Sequence, residues 1–223
     1  MSASYYSKRI ICLANSRKPG GRCIAGKDWD DRASWIRPVS DTEKRSLSES
    51  DRHYEGGSEP ILLDIISIPM LKPAPLPHQR ENHLINSSFY WSKVGKASWT
   101  DIALFLESPV SLWANNSQSA GYVSNRVSES AANGKSLYLV KIASLAVIVG
   151  PKSSYEEKRV VKGRFIWAGE VYQLHITDPA IEREFILMKD GSYCIDDPTL
   201  CISLGDPFEG FCYKLIAGVI RRD

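Results

Sequence analysis

The sequence lacks the common signatures of catalysis and of metal or phosphate binding. It contains no CxxC pair, P-loop, GxGxxG, GxSxG or HExxH motif. These absences argue against an ATPase, a dinucleotide-dependent dehydrogenase, a serine hydrolase and a zinc protease. The five cysteines are scattered and form no paired-cysteine spacing, so a structural zinc site is not expected. We expect no cofactor and no metal.

Long apolar runs and net charge are also scarce. The longest apolar run, 137–150, is interrupted by Lys141 and is too short to cross a bilayer. The first residues lack the apolar core and cleavage site of a signal peptide, so we expect a cytoplasmic protein with no membrane partner. A net charge of +2 over 223 residues excludes a protein that coats DNA by charge alone. Any nucleic-acid binding has to come from a local patch.

Strand-like segments dominate the chain. They are short apolar or alternating runs rich in Ile, Val and Leu, and they are separated by turn residues. In the first half they cover 8–14, 22–25, 34–37 and 61–68, with Pro60 and Pro69 on either side of the last. In the second half they cover 136–142, 145–149, 160–167, 170–177, 184–187, 193–195, 200–204 and 213–220. Many short strands with few helices predict a mainly β fold of two OB-like small β-barrels.

The middle of the chain differs from both halves. A proline-rich stretch after Pro69 predicts extended, polyproline-like backbone. Residues 97–114 are the best helix candidate, with Ser98 or Thr100 as the cap and Pro109 as the stop. Residues 115–135 are polar, small and glycine-bearing, which predicts a long loop. We therefore expect a first barrel with a proline-rich arm over 1–95, a linker with one or two short helices and a polar loop over 96–135, and a second barrel over 136–223.

A local basic block lies between residues 8 and 37, with eight basic residues against three acidic ones. Guanidinium groups bind phosphate well, especially beside backbone N–H groups that glycine residues leave accessible. The alternative is a solvated hairpin loop whose charges keep a sheet edge soluble. The candidate ligand-binding side chains here are Asn15, Arg17, Lys18, Arg22 and Lys27.

Trp35 and Arg37 are the second candidate pair. Strand alternation places both on one face, with Ile36 on the other. A tryptophan beside an arginine can stack on a base and hold a phosphate. A tryptophan packed under an arginine stem is the structural alternative.

A polar cluster over 78–83 is the third candidate. His78, Arg80 and Asn82 can form hydrogen bonds to a ligand. His78 and Glu81 can act as base and acid if their side chains lie close together. His83 adds a further nitrogen ligand, but the spacing matches no strong metal motif. The alternative is a structural role, in which buried hydrogen bonds among residues 78–83, here called the polar knot, hold the proline-rich arm in place.

The run KRVVKGRFIW over 158–167 interleaves basic and aromatic residues. Lys162 and Arg164 are its candidate phosphate contacts. Nearby aromatic residues are expected to stack on bases, as single-strand-binding barrels require: Tyr155, Phe165, Trp167 and Tyr172.

Several segments together resemble the prokaryotic dual OB-containing domain family. They are KRIICLANSRKPGGRCIAGK, WIRPVS, EPILLDIISIPM, HQRENHLI, SLWAN, YQLHITDP and ISLGDPFEGFCYKLIAGVI, and they extend from about Lys8 to Ile220. The resemblance implies two OB-like barrels and a role in binding nucleic acid or nucleotides, in bacterial defence (including antiphage) or mobile-element systems. It supplies no catalytic residues.

Three functions remain open from the sequence. The first is a non-catalytic nucleic-acid-binding module, with single strands favoured. The second is a nucleotide sensor or nucleotide-processing protein that uses the 78–83 cluster. The third is a protein-interaction subunit of an operon-encoded complex. The sequence leaves catalysis undecided, but the missing motifs favour a protein that is not an enzyme.

Overall fold

The computed structural model describes residues 5–114, 118–119, 121–132, 134–153 and 156–222. The chain divides into two compact units, Met1–Leu106 and Glu107–Asp223. Strands make up most of the regular structure in both, which confirms the predicted mainly β fold. No helix in the described ranges is long and apolar enough to cross a membrane.

The first unit is a closed five-stranded barrel. Its strands follow the order β1-β2-β3-β5-β4, and pairing of β4 with β1 closes the ring. Among the described strand pairs of this unit, β3–β5 is the parallel one. The strand β6 pairs with the same edge of β4 as β5, further along that strand. The elements are β1 (Tyr6–Lys18), β2 (Gly21–Asp28), β3 (Trp35–Val39), α1 (Glu49–Arg52), β4 (Asp64–Pro73), β5 (Asn82–Ile85), β6 (Ser92–Lys96) and α2 (Trp99–Ile102).

Alternating apolar residues build the core of this barrel. Ile10 and Cys12 of β1 and Ile66, Ile68 and Met70 of β4 are fully buried. Since successive side chains of a strand point to opposite faces, this period of two fixes the register of the sheet.

The strand β4 extends beyond the predicted stop at Pro69. Proline has no N–H to donate, but Pro69 takes part in the sheet through its carbonyl, which accepts from the Asn86 N–H at 2.9 Å. The segment up to Pro73 is therefore strand rather than polyproline-like backbone.

The second unit repeats this topology. Its main sheet runs β15-β16-β13-β12-β11-β14, and only Asp197 and Pro198 separate β14 from β15. The strands β14 and β15 are thus two parts of one bent strand. Since β14 pairs with β11 and β15 pairs with β16, this bent strand joins the two ends of the sheet and closes a five-stranded barrel. The parallel β13–β16 contact corresponds to β3–β5. The elements are β7 (Gln118–Ser119), β8 (Tyr122–Val123), β9 (Arg126–Ser128), β10 (Leu137–Lys141), β11 (Ser144–Ser153), β12 (Glu156–Trp167), β13 (Glu170–Ile176), α3 (Pro179–Phe185), β14 (Gly191–Asp196), β15 (Thr199–Leu204) and β16 (Phe211–Ile220).

Close packing across this barrel depends on Gly163. A Cβ at this position would lie 2.4 Å from Cδ1 of Ile216 and 2.8 Å from Cδ1 of Leu145. The missing side chain therefore lets β12 approach the interior residues of β16 and β11.

Two predicted elements are wrong. The helix predicted over 97–114 is only the four-residue α2, capped by Ser98, followed by a 3-10 turn over Ala103–Phe105. The strand predicted over 184–187 overlaps α3, because Asp178 caps that helix and Pro179 fills its first position. Within the polar loop predicted over 115–135, residues 115–117, 120 and 133 lie outside the described residues, and the remainder includes β7, β8 and β9.

Candidate nucleic-acid interface

Ion pairs occupy several cations of the basic block in the first unit. Lys8 Nζ lies 2.8 Å from Asp28, and Arg9 pairs with Asp30. Charges already neutralised by a neighbouring carboxylate contribute little to an anion-binding surface.

Arg37 is an internal residue of the first barrel. It shares a strand face with Trp35 as the alternation predicts, but it is only 3% exposed. Its Nε donates to Glu81 at 2.9 Å and its NH1 donates to Cys23 Sγ at 2.9 Å. Burial alone would lower the pKa of Arg37, but Cys23 and Glu81 outweigh it and raise the pKa. The guanidinium thus ties β2 and β3 to the segment before β5 and is not exposed to a ligand.

Lys27 and Trp35 lie directly opposite each other on β2 and β3. Lys27 is 3% exposed, and its Nζ lies 5.5 Å from the centre of the Trp35 ring. The two form a cation–π pair, so this tryptophan packs against a lysine of its own barrel.

The β1–β2 hairpin carries the remaining candidates of the basic block. Asn15 Nδ2 donates to the Pro60 carbonyl at 2.7 Å, which fixes that side chain. Arg17 is exposed and lies opposite the half-buried Arg22, and Lys18 precedes the turn. OB folds bind ligands with this loop among others.

The 78–83 cluster spans the end of the β4–β5 connection and the first two residues of β5. Asn82 is fully buried, and its Nδ2 donates to Gln79 Oε1 at 3.3 Å. His78 is 8% exposed, Glu81 is held by Arg37, and Arg80 is exposed. These contacts favour the polar knot over an acid–base pair.

His83 points to a different neighbour. Its Nδ1 lies 2.6 Å from the Tyr6 hydroxyl, and burial lowers the pKa of the imidazole. No group of three or more His, Cys, Asp or Glu residues in the described part of the chain is arranged to hold a metal.

The outer face of β12 in the second barrel carries three cations. Lys158 and Arg164 are exposed and Lys162 is half-buried, whereas Val161 and Phe165 of the same strand are 2% exposed and belong to the core. Alternation therefore places all three cations on the outside.

These cations are not neutralised by neighbours. Across the β12–β13 ladder, Arg164 lies opposite Gln173 and Lys162 lies opposite His175, not opposite carboxylates. Among the described residues, neither Lys158, Lys162 nor Arg164 forms an ion pair. The face thus presents positive charge along one strand. Lys158, the first residue of the basic run 158–167, joins the candidates Lys162 and Arg164 on this face, because an even spacing along a strand gives the three residues the same side.

The three described aromatic residues of the predicted stacking set do not lie on this face. Phe165 and Tyr172 stack on each other inside the barrel, with ring centres 5.3 Å apart. Trp167 is half-buried, and its Nε1 donates to the Pro109 carbonyl at 2.9 Å. Tyr155 lies outside the described residues. The described outward residues of β12 and β13 are therefore basic, polar or aliphatic, apart from the imidazole of His175.

Comparisons with known proteins agree with this architecture. The family model described as dual OB-containing domain matches residues 8–219. No curated protein and no solved structure matches the chain. With two barrels of one topology and a family match over nearly its whole length, the chain belongs to the dual OB-containing domain family.

Proposed function

We propose that the protein is a non-catalytic nucleic-acid-binding module whose principal contact surface is the outer face of β12 and β13. The observation that supports this is the row of Lys158, Lys162 and Arg164, which has no acidic partner among the described residues. In OB folds the second and third barrel strands, which β12 and β13 are here, commonly bind oligonucleotides.

The spacing of the row suits an extended strand of phosphates. Residues two apart on one strand face are separated by about 6.6 Å, so Lys162 and Arg164 can contact successive phosphates. Three phosphate contacts on a single strand give a salt slope of about −2, or a roughly 16-fold weaker affinity between 50 and 200 mM salt. The exposed Arg17, near the end of β1, is a separate candidate contact on the first unit.

The remaining parts of the proposal come from the sequence and from the family resemblance. We place the protein in the cytoplasm of a bacterium, within a defence or mobile-element system and beside an operon-encoded protein partner. A nuclease or helicase gene next to its own gene supports this setting, whereas isolated placement in many genomes contradicts it.

The direct test is fluorescence anisotropy with labelled single-stranded DNA and RNA at 50 mM salt. The variant Lys158→Gln/Lys162→Gln/Arg164→Gln removes the row. The control Lys44→Gln/Lys96→Gln/Lys189→Gln removes the same charge from exposed positions elsewhere.

We expect the row variant to lose at least about 10-fold in affinity and most of its salt slope, and the control to lose less than about threefold. Equal losses would mean that only net charge matters. Absence of binding to any DNA or RNA at low salt would overturn the proposal. Binding of mononucleotides alone would favour a nucleotide sensor instead.

A further inference from the structure

A shallow groove adjoins the cation row on the second barrel. It has a volume of about 300 Å³ and lies over β11, β12 and β13. This is at the lower end of the range for small-ligand pockets. The lining side chains that matter here are Ser144, Ala146, Arg164, Ile166 and Val171.

Residue size at one position creates the groove. Ala146 lies between Cys194 of β14 and Arg164 of β12 in a single row across the sheet. The next outward residue of β11, Ile148, is much larger. Ile166, on the wall beside Arg164, is 66% exposed. The groove therefore has an aliphatic floor and wall and a guanidinium at one side.

We propose that this groove receives one unpaired base of a single-stranded nucleic acid whose neighbouring phosphate lies on Arg164. This inference rests on the proposed function and specifies how the same face distinguishes single strands from duplexes. A base that is paired and stacked inside a duplex cannot enter the groove, whereas an unpaired base can.

The charges around the groove orient the strand. The cations lie along β12, so the sugar–phosphate backbone follows that strand. On the opposite side, Ser144 lies next to Asp196 of β14, an exposed carboxylate that accepts from Cys194 Sγ at 3.1 Å. A carboxylate repels phosphate, so only the uncharged base can point toward β11 and β14.

The groove offers aliphatic contact rather than an aromatic platform. Phe165 borders the groove, but it is only 2% exposed and its ring stacks on Tyr172 inside the barrel. We expect the base contact to contribute at the low end of the range for base stacking, about fivefold in affinity.

The test fills the groove without changing charge. Ala146→Leu places extra methyl groups over the floor. Ser192→Leu is the matched control, because Ser192 is exposed on β14, lies outside the proposed contact face and does not line the groove. Both variants must first show the urea midpoint of the unsubstituted protein.

Binding is then measured with an oligothymidylate, with the same strand made fully abasic, and with a duplex. For Ala146→Leu we expect about fivefold weaker binding of the intact strand, unchanged binding of the abasic strand and duplex, and an unchanged salt slope. Ser192→Leu should bind all three normally.

Cys194 supplies a second readout in the full-length protein. It is exposed and neighbours Ala146, whereas Cys12, Cys201 and Cys212 are buried. Maleimide labelling of Cys194, located by peptide mass spectrometry, should slow when the intact strand binds and slow less with the abasic strand.

The outcomes separate the two proposals. Normal affinity of Ala146→Leu for the intact strand, with a normal salt slope, overturns the base site and leaves the binding face intact. Equal weakening for intact and abasic strands also overturns it, because the groove would then hold a phosphate. Absence of any binding by the unsubstituted protein overturns the proposed function first.

Discussion

Arg37 and Glu81 form an ion pair whose side chains are 3% and 8% exposed. Removing one partner of a buried pair leaves an uncompensated charge, which typically costs about 3–5 kcal/mol. We expect Glu81→Ala to lower the free energy of unfolding, measured in urea, by about 3 kcal/mol. Asp30→Ala, which breaks the exposed Arg9–Asp30 pair, should leave the urea midpoint nearly unchanged, because solvent screens an exposed ion pair. Equal small effects of the two substitutions would refute a structural role for Glu81.

The same pair shows what alternation predicts and what it cannot. A period of two correctly places Trp35 and Arg37 on one face, because that depends only on neighbouring residues. Burial of Arg37 depends on Glu81, which lies 44 residues further along the chain. Arg37 is therefore predicted from the sequence to be a surface contact, but the tertiary structure buries it.

Lys214 is an inward-facing lysine of the second barrel, 1% exposed, with Nζ 5.4 Å from the centre of the Tyr172 ring. Burial lowers the pKa of Lys214 to about 8. The unfolded chain, with a pKa near 10.5, therefore binds more protons between these two values, so folding stability rises with pH in that window. Below pH 8 Lys214 is protonated in both the folded and the unfolded protein, so the full free-energy cost of burying its charge is present.

We accordingly expect the stability difference between Lys214→Met and the unsubstituted protein to be constant below pH 8. From pH 8 to 10 it should shift in favour of the unsubstituted protein, by up to about 3 kcal/mol. Urea unfolding of both proteins at pH 7, 8, 9 and 10 measures it, and other titrating groups cancel in the difference. Parallel pH profiles would show that Lys214 has an ordinary pKa.

At the scale of elements, the β12–β13 hairpin fixes which residues face outward. It turns at Ala168 and Gly169, whose φ angles are 49° and 80°. Two positive φ values are the requirement of a type I′ turn, which favours Asn-Gly. The predicted strands 160–167 and 170–177 leave two residues between them, which is typical of a hairpin. The register places Trp167 opposite Glu170 as such a turn requires.

This turn geometry gives an element-scale prediction. Ala168→Asn should raise the free energy of unfolding by about 0.5–1 kcal/mol, because asparagine tolerates left-handed backbone better than alanine. Gly169→Ala should lower it by about 1 kcal/mol. Urea unfolding measures both, and a destabilising Ala168→Asn would argue against a type I′ turn. Neither substitution should alter nucleic-acid affinity.

The helix α3 shows why local signals can be misread. Asp178 followed by Pro179 is typical of a turn, but it is equally typical of a helix start with proline in the first position. Asp178 is 4% exposed, and its carboxylate accepts from Ala180 N–H at 2.9 Å and from Val219 N–H at 3.0 Å. The second contact, 41 residues away in sequence, anchors the helix to β16 and has no local signature.

At the scale of the whole molecule, one topology occurs twice without a close sequence repeat. Each barrel has a parallel contact between its third and fifth strands and a short helix between its third and fourth, α1 in one and α3 in the other. Hydrophobic alternation and turn placement specify such a barrel, and many sequences satisfy both. The charges on the outer faces are free to differ, since they do not pack in the core, and the unneutralised cation row occurs on β12.

The segment after Leu106 belongs structurally with the second unit. Leu112 is fully buried in that unit's core, and its N–H donates to the Tyr172 hydroxyl at 3.3 Å. The strand β9 pairs with β16. The sequence predicts the second barrel at 136–223, because residues 107–135 have a weak strand pattern. The contacts that join them to the unit are with strands distant in sequence.

A second unit that starts at Glu107, as in the structure, and one that starts at residue 136, as the sequence predicts, lead to opposite expectations for isolated fragments. We expect the fragment Glu107–Asp223 to unfold cooperatively in urea and to keep the oligonucleotide affinity of the β12 face. A fragment that starts at Ser136 loses Leu112 from the core and β9 from the edge of β16, and loss of one buried leucine alone typically costs about 2–5 kcal/mol. It should therefore unfold at lower urea, or fail to fold. Equal stability of the two fragments would show that 107–135 is a linker, as the sequence predicts, and loss of binding by a folded Glu107–Asp223 fragment would assign the interface to the first unit.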